Sequence, residues 1–104
     1  MEVRELRYFL AVAREENITR AAESLHIAQP SLSKQLMELE KKLGKKLLIR
    51  GKRKITLTEE GVLLRKRAEE ILELVEKTQQ EISSDTEDVI GDIYMGGGTP
   101  PSVL

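Results

Sequence analysis

Leu32, Leu36, Leu39 and Leu43 recur at spacings of four, three and four, which marks one stripe of an amphipathic helix. Pro30 suits the first turn of that helix, because its φ is fixed and its nitrogen has no hydrogen to donate. Gly44 supplies a left-handed stop at the other end. At about 100° per residue, Pro30, Ser33, Lys34, Met37 and Lys41 fall on the opposite face, which carries no carboxylate in its first turns. Upstream, Leu6, Phe9, Leu10 and Ala13 give a buried face to a helix from Val3 to Glu15. Asn17-Ile18-Thr19 interrupts the pattern, and Thr19 is placed to cap a short second helix from about Arg20 to Leu25. Ala21 and Ala22 allow another helix close approach, while Leu25 and Ile27 fill the space beneath the turn.

Between Lys46 and Thr58 the period changes. Leu47 and Ile49 alternate, then Ile55 and Leu57, with Gly51-Lys52-Arg53-Lys54 between them. Two short strands with a basic tip, a β-hairpin wing, follow from that pattern. Thr58-Glu59-Glu60 is a helix start, a capping hydroxyl followed by two carboxylates over the positive helix end. A long helix is then expected to about Ser83 or Ser84. Its Leu64, Ala68, Ile71, Val75, Thr78 and Ile82 keep a four-three alternation, a stripe that calls for a partner helix. Asp85 to Asp88 reads as a linker, and Gly91 to Gly96 as the onset of a strand.

Composition narrows the class. In 104 residues, 39% are hydrophobic, 34% charged and only 3% aromatic, which suits one small, mainly helical domain with an aliphatic core. Cysteine is absent, so neither a disulfide framework nor a thiolate metal site is available. No apolar run approaches the ~18 residues of a membrane span and no signal-peptide core opens the chain; the cytoplasm is the expected location. The net charge of −1 conceals an asymmetry. Residues 1–58 hold 13 Lys/Arg against 7 Asp/Glu, a balance of +6, and residues 59–104 hold 4 against 11, a balance of −7. Polyanion binding is thereby confined to the first half.

The outer face of the leucine helix presents hydroxyl, amide and ammonium groups to an anionic, hydrogen-bonding partner. Gln29, Ser33 and Lys34 are the candidates for base edges: the amide suits adenine, the ammonium guanine, and the hydroxyl either. Pro30 either touches a thymine methyl or simply starts the helix. Ser31 either meets a phosphate or is an ordinary early-turn residue. Arg50, Lys52, Arg53 and Lys54 form either a solubilising turn or, held rigidly by flanking strands, a phosphate or minor-groove contact. Thr19 and Arg20 are phosphate clamps or an ordinary cap and surface charge. His26, the sole histidine, reads as a structural turn residue. Glu69, Glu70, Glu73 and Glu76 read as the wet face of the long helix, with Glu73 and Lys77 as an i,i+4 pair. No nucleophile–base or acid–base set is present, so no enzyme is expected, and no metal or cofactor is implied.

Leu6-Arg7-Tyr8-Phe9, Thr19 to Leu25, Gln29-Pro30-Ser31-Leu32-Ser33, Leu39-Glu40, Leu43-Gly44, Leu47, Arg50, Arg53 and Leu57-Thr58 with Gly61 together resemble the N-terminal part of a LysR-type transcriptional regulator. The resemblance runs from Met1 to about Gly96. It implies a winged helix-turn-helix that dimerises through its long linker helix and sets two recognition helices in successive major grooves of an interrupted palindromic operator. It also implies a C-terminal domain that senses a small molecule. That domain is missing from the expected layout, so this chain reads as a DNA-binding fragment that does not itself bind an effector. Four positions depart from the family pattern: Ala28 at a usual capping position, Lys34 in place of a common arginine, Leu48 in place of the usual phenylalanine, and Met37 as an unusual outward-facing apolar residue.

The expected organisation is therefore a winged helix-turn-helix over residues 1–58, a dimerisation helix over 59–84, and a linker with the start of an effector domain over 85–104. The expected function is sequence-specific binding of double-stranded DNA as a homodimer. The alternative is a helical module that titrates a full-length regulator into inactive heterodimers.

Overall fold

A computed structural model describes residues 1–84. Its elements are α1 (Val3–Glu15), α2 (Ile18–Leu25), α3 (Gln29–Leu43), β1 (Leu48–Arg50), β2 (Ile55–Leu57) and α4 (Glu59–Ser83). The expected linker and strand onset over 85–104 lie outside the described residues. The chain divides into two units, Met1–Leu72 and Glu73–Leu104. The first reaches beyond the 1–58 boundary expected, because Leu64 and Ala68 of α4 are buried in its core.

Helix α1 has the bounds expected for it. Glu5, rather than a hydroxyl, secures its start: the Glu2 N–H donates to Glu5 Oε1 at 2.8 Å. Its buried side chains are Glu5, Leu6, Phe9, Ala11 and Val12, while Leu10 and Ala13 are only half-buried. The helix ends at Glu16 in the left-handed conformation, φ 57°. The Glu16 carbonyl then accepts from the Ile55 N–H at 2.9 Å, tying β2 to the end of α1.

Helix α2 starts earlier than the sequence pattern indicated. Asn17 is its cap, with Oδ1 accepting from the Arg20 N–H at 2.8 Å, so Thr19 lies inside the first turn and caps nothing. The amide oxygen of Asn17, two residues upstream, takes the free N–H instead. His26 closes α2 at φ 60°, and the Ile27 N–H returns to the Ala22 carbonyl at 3.0 Å. The buried Ala21 and Ala22 let α2 pack beside α3.

In α3, Leu32, Leu36 and Leu39 are fully buried, whereas Leu43 is 40% exposed. Leu43 keeps the angular phase of the stripe, but its turn runs past the elements that cover the other three. Gly44 ends the helix at φ 70° with its N–H donating to the Glu40 carbonyl at 2.8 Å. Space does not require glycine there, since a Cβ would meet nothing within 4 Å; the left-handed backbone does.

Strands β1 and β2 pair antiparallel, with Leu48 opposite Leu57, Ile49 opposite Thr56 and Arg50 opposite Ile55. The alternation expected from Leu47 and Ile49 is not observed: Leu47 and Leu48 are both buried and Ile49 is 50% exposed. Leu47 precedes the strand and is turned inward by its backbone bond to Glu40, so the inward phase within β1 begins at Leu48. Thr58 starts α4 as expected. Its Oγ1 accepts from the Gly61 N–H at 3.0 Å and donates to the Lys46 carbonyl at 2.7 Å.

Within the second unit, residues from Glu73 continue α4 to Ser83. Val75 is half-buried, Thr78 is exposed, and Ile82 is 81% exposed. The Thr78 hydroxyl donates to the carbonyl of Leu74, 2.7 Å away in the same helix.

Candidate nucleic-acid interface

The outer face of α3 is set by what the inner face buries. With Leu32, Leu36 and Leu39 packed against α1 and α2, helical geometry turns Pro30, Ser33, Lys34, Met37 and Lys41 to solvent. These five residues line an open groove of about 850 Å³. Glu38 and Glu40 also line it, so the cationic face has two carboxylates on its rim. Gln29, Pro30, Ser31 and Lys34 are exposed and Ser33 is half-buried. As the sequence implied, Ala28 gives the helix no side-chain cap, so its first N–H groups point outward unpaired by that side chain.

A second groove, of about 610 Å³, runs from α3 to the wing and is lined by Ser33, Met37, Ile49 and Arg50 among others. Arg50 therefore shares a surface with the α3 candidates. Lys52, Arg53 and Lys54 are exposed on the tip beyond β1 and line neither groove, and the same holds for Thr19 and Arg20 at the start of α2. Among the described residues, Arg20, Lys34, Arg50, Lys52 and Arg53 make no ion pair, while Lys54 lies 4.0 Å from Glu16. Unpaired cations around a polar helix face favour a polyanion.

Glu40 fixes the spacing between helix and wing, a role that no sequence pattern signalled. Its Oε2 accepts from the N–H of Leu47 at 2.8 Å and of Leu48 at 3.1 Å, and Lys46 lies 3.8 Å from its other oxygen. The far end of α3 is anchored differently. Lys42 donates to the buried Glu5 carboxylate at 2.9 Å, and this bond, with the backbone N–H of Glu2, holds the Glu5 carboxyl below its ordinary pKa of 4.5 against the opposing effect of burial. Gly61 is required by close approach, since a Cβ there would collide with the Leu47 carbonyl oxygen.

The dimerisation stripe expected on α4 separates into two parts. Leu64 and Ala68 are 9% and 0% exposed, taken up by the core of their own chain, and Ile71 packs partly against it. Leu64 and Ala68 are withdrawn from any partner, Ile71 keeps part of its surface exposed, and Thr78 and Ile82 are exposed with Val75 half-buried.

Residues 3–62 match the family described as bacterial regulatory helix-turn-helix protein, lysR family. The HTH-type transcriptional regulator BsdA of Bacillus subtilis (strain 168) is 47% identical over 97 residues, 92% of this chain and 33% of that protein. The Hca operon transcriptional activator HcaR of Escherichia coli (strain K12) is 52% identical over 79 residues, 76% of this chain and 27% of that protein. The chain thus spans a third or less of these relatives' length. Among solved structures, the BenM DBD in complex with benA site 1 DNA superposes with a TM-score of 0.76 at 44% identity, covering 79% of this chain and 95% of that one. The CbnR DBD in a DNA complex gives 0.75 at 42% identity, covering 78% and 93%. No helix among the described residues is long and apolar enough to cross a membrane. The chain belongs to the lysR family of bacterial regulatory helix-turn-helix proteins.

Proposed function

We propose that this chain binds double-stranded DNA sequence-specifically and regulates transcription in the cytoplasm, by recognition rather than by turnover. The observation that carries the reading is the shared surface of α3 and the wing, where Ser33, Lys34 and Arg50 meet around two continuous grooves. In the major groove, Gln29, Ser33 and Lys34 reach base edges, with Pro30 and Ser31 at the entry of the helix. Arg50, Lys52, Arg53 and Lys54 hold the neighbouring backbone, and Thr19 and Arg20 a phosphate on the other flank. Relatives of the same fold solved with DNA support this docking.

A homodimer formed through α4 completes the proposal. Its contacts come from Val75, Thr78 and Ile82, since Leu64 and Ala68 are spent on the chain's own core. Two-fold symmetry then requires an interrupted palindrome. Selection of duplexes from a random pool with the 104-residue chain tests the reading. Enrichment of one sequence with two related half-sites is expected; an unenriched pool after repeated rounds contradicts it.

A further inference from the structure

Met37 is an apolar side chain at the centre of a polar face. It is 61% exposed, so it contributes little to the core, and it lines both the groove along α3 and the groove towards the wing. Lys34, Lys41, Lys45 and Lys46 line the first of these grooves with it. Glu38 and Glu40 line it as well, and Glu40 takes Lys46 at 3.8 Å; an apolar protein partner seated there would strip water from Lys34, Lys41 and Lys45 without pairing them. A duplex would match both features, phosphates to the cations and an apolar base edge to the thioether. In the major groove the one apolar group displayed by an unmodified base is the C5-methyl of thymine.

Position strengthens the match. Met37 lies one turn beyond Ser33 on the same face, about 6 Å along the helix axis. That distance approximates two base-pair rises of ~3.4 Å, so Met37 addresses a pair about two steps from the one that Ser33 and Lys34 read. Ile49, 50% exposed in β1, lines the groove towards the wing beside Met37 and extends the apolar surface in that direction. We propose that Met37 is a specificity-determining residue that packs on a thymine methyl. This inference rests on the DNA-binding reading above and deepens it.

Uracil substitution tests it, because uracil lacks only that methyl. Each thymine of the selected duplex is replaced by uracil in turn, and binding is measured for the wild-type chain and for Met37→Gln. Met37 is exposed, so the variant is expected to keep the wild-type circular dichroism. At one thymine of a half-site, loss of the methyl should weaken wild-type binding about fourfold and leave the binding of Met37→Gln unchanged. Uracil effects of equal size in both proteins, or none in the wild type, overturn the assignment and leave DNA binding intact. Failure to select any duplex overturns both.

Discussion

Glu5 is a charged residue with 3% exposure in a small core, and two donors explain its presence. Lys42 Nζ and the Glu2 N–H each bond one of its oxygens, at 2.9 and 2.8 Å. Its carboxyl titrates below 4.5 in the folded chain. A depressed carboxylate stabilises the fold above the unfolded pKa and loses that contribution as pH falls through the folded value. Glu5→Gln is therefore expected to lower stability at neutral pH, and the gap from wild type should narrow as the pH falls through the acid range below the ordinary carboxylate pKa, read by urea unfolding across that range. Gly61 makes a different prediction. Ala at this position places a methyl against the Leu47 carbonyl, and a backbone atom does not swing aside as a side chain would. Gly61→Ala should cost about 1–3 kcal/mol, seen as a lowered thermal midpoint.

Helix α3 and the wing are joined by Glu40, whose carboxylate accepts from the Leu47 and Leu48 N–H groups. Glu40→Ala would leave the Leu47 and Leu48 amides, in a partly buried turn, without their acceptor. The expected loss is about 1–3 kcal/mol, with faster hydrogen exchange at those two amides than at core amides of α1. Unchanged exchange there would refute the coupling. Periodicity made α1 and α3 legible, since each buries one face against the rest; the hairpin's place was legible, but the phase of its first strand was not, because Leu47 and Leu48 are both buried. Local hydrogen bonding was less legible. Asn17 and Thr19 are both capping residue types, and only the folded geometry shows that Asn17 Oδ1 takes the Arg20 N–H. The same limit hid Glu40, whose partners lie seven and eight residues away and follow no helical or strand repeat.

At the scale of the whole molecule, the stripe of α4 is only partly taken up by the chain's own core. The four-three alternation revealed an apolar face but not what covers it; the core takes Leu64 and Ala68, and Val75, Thr78 and Ile82 are the residues proposed to meet a partner. A substitution at Ile71 would disturb the core as well as a dimer, so Val75→Glu is the cleaner probe. It should sediment as a monomer with wild-type helicity and bind the selected duplex far more weakly, whereas a persistent dimer would remove α4 from the interface. The candidate site was legible in outline, because residue type and helical phase placed Ser33 and Lys34 outward. Its rim towards the wing was not, since Ile49 of β1 enters the groove through tertiary placement. The most direct measurement is a titration of the selected duplex and a scrambled duplex with wild type and with the double variant Ser33→Ala, Lys34→Ala. The wild-type preference for the selected sequence is expected to collapse in the variant while its fold and oligomeric state persist. An undiminished preference would contradict the assignment of the α3 outer face as the surface that reads DNA.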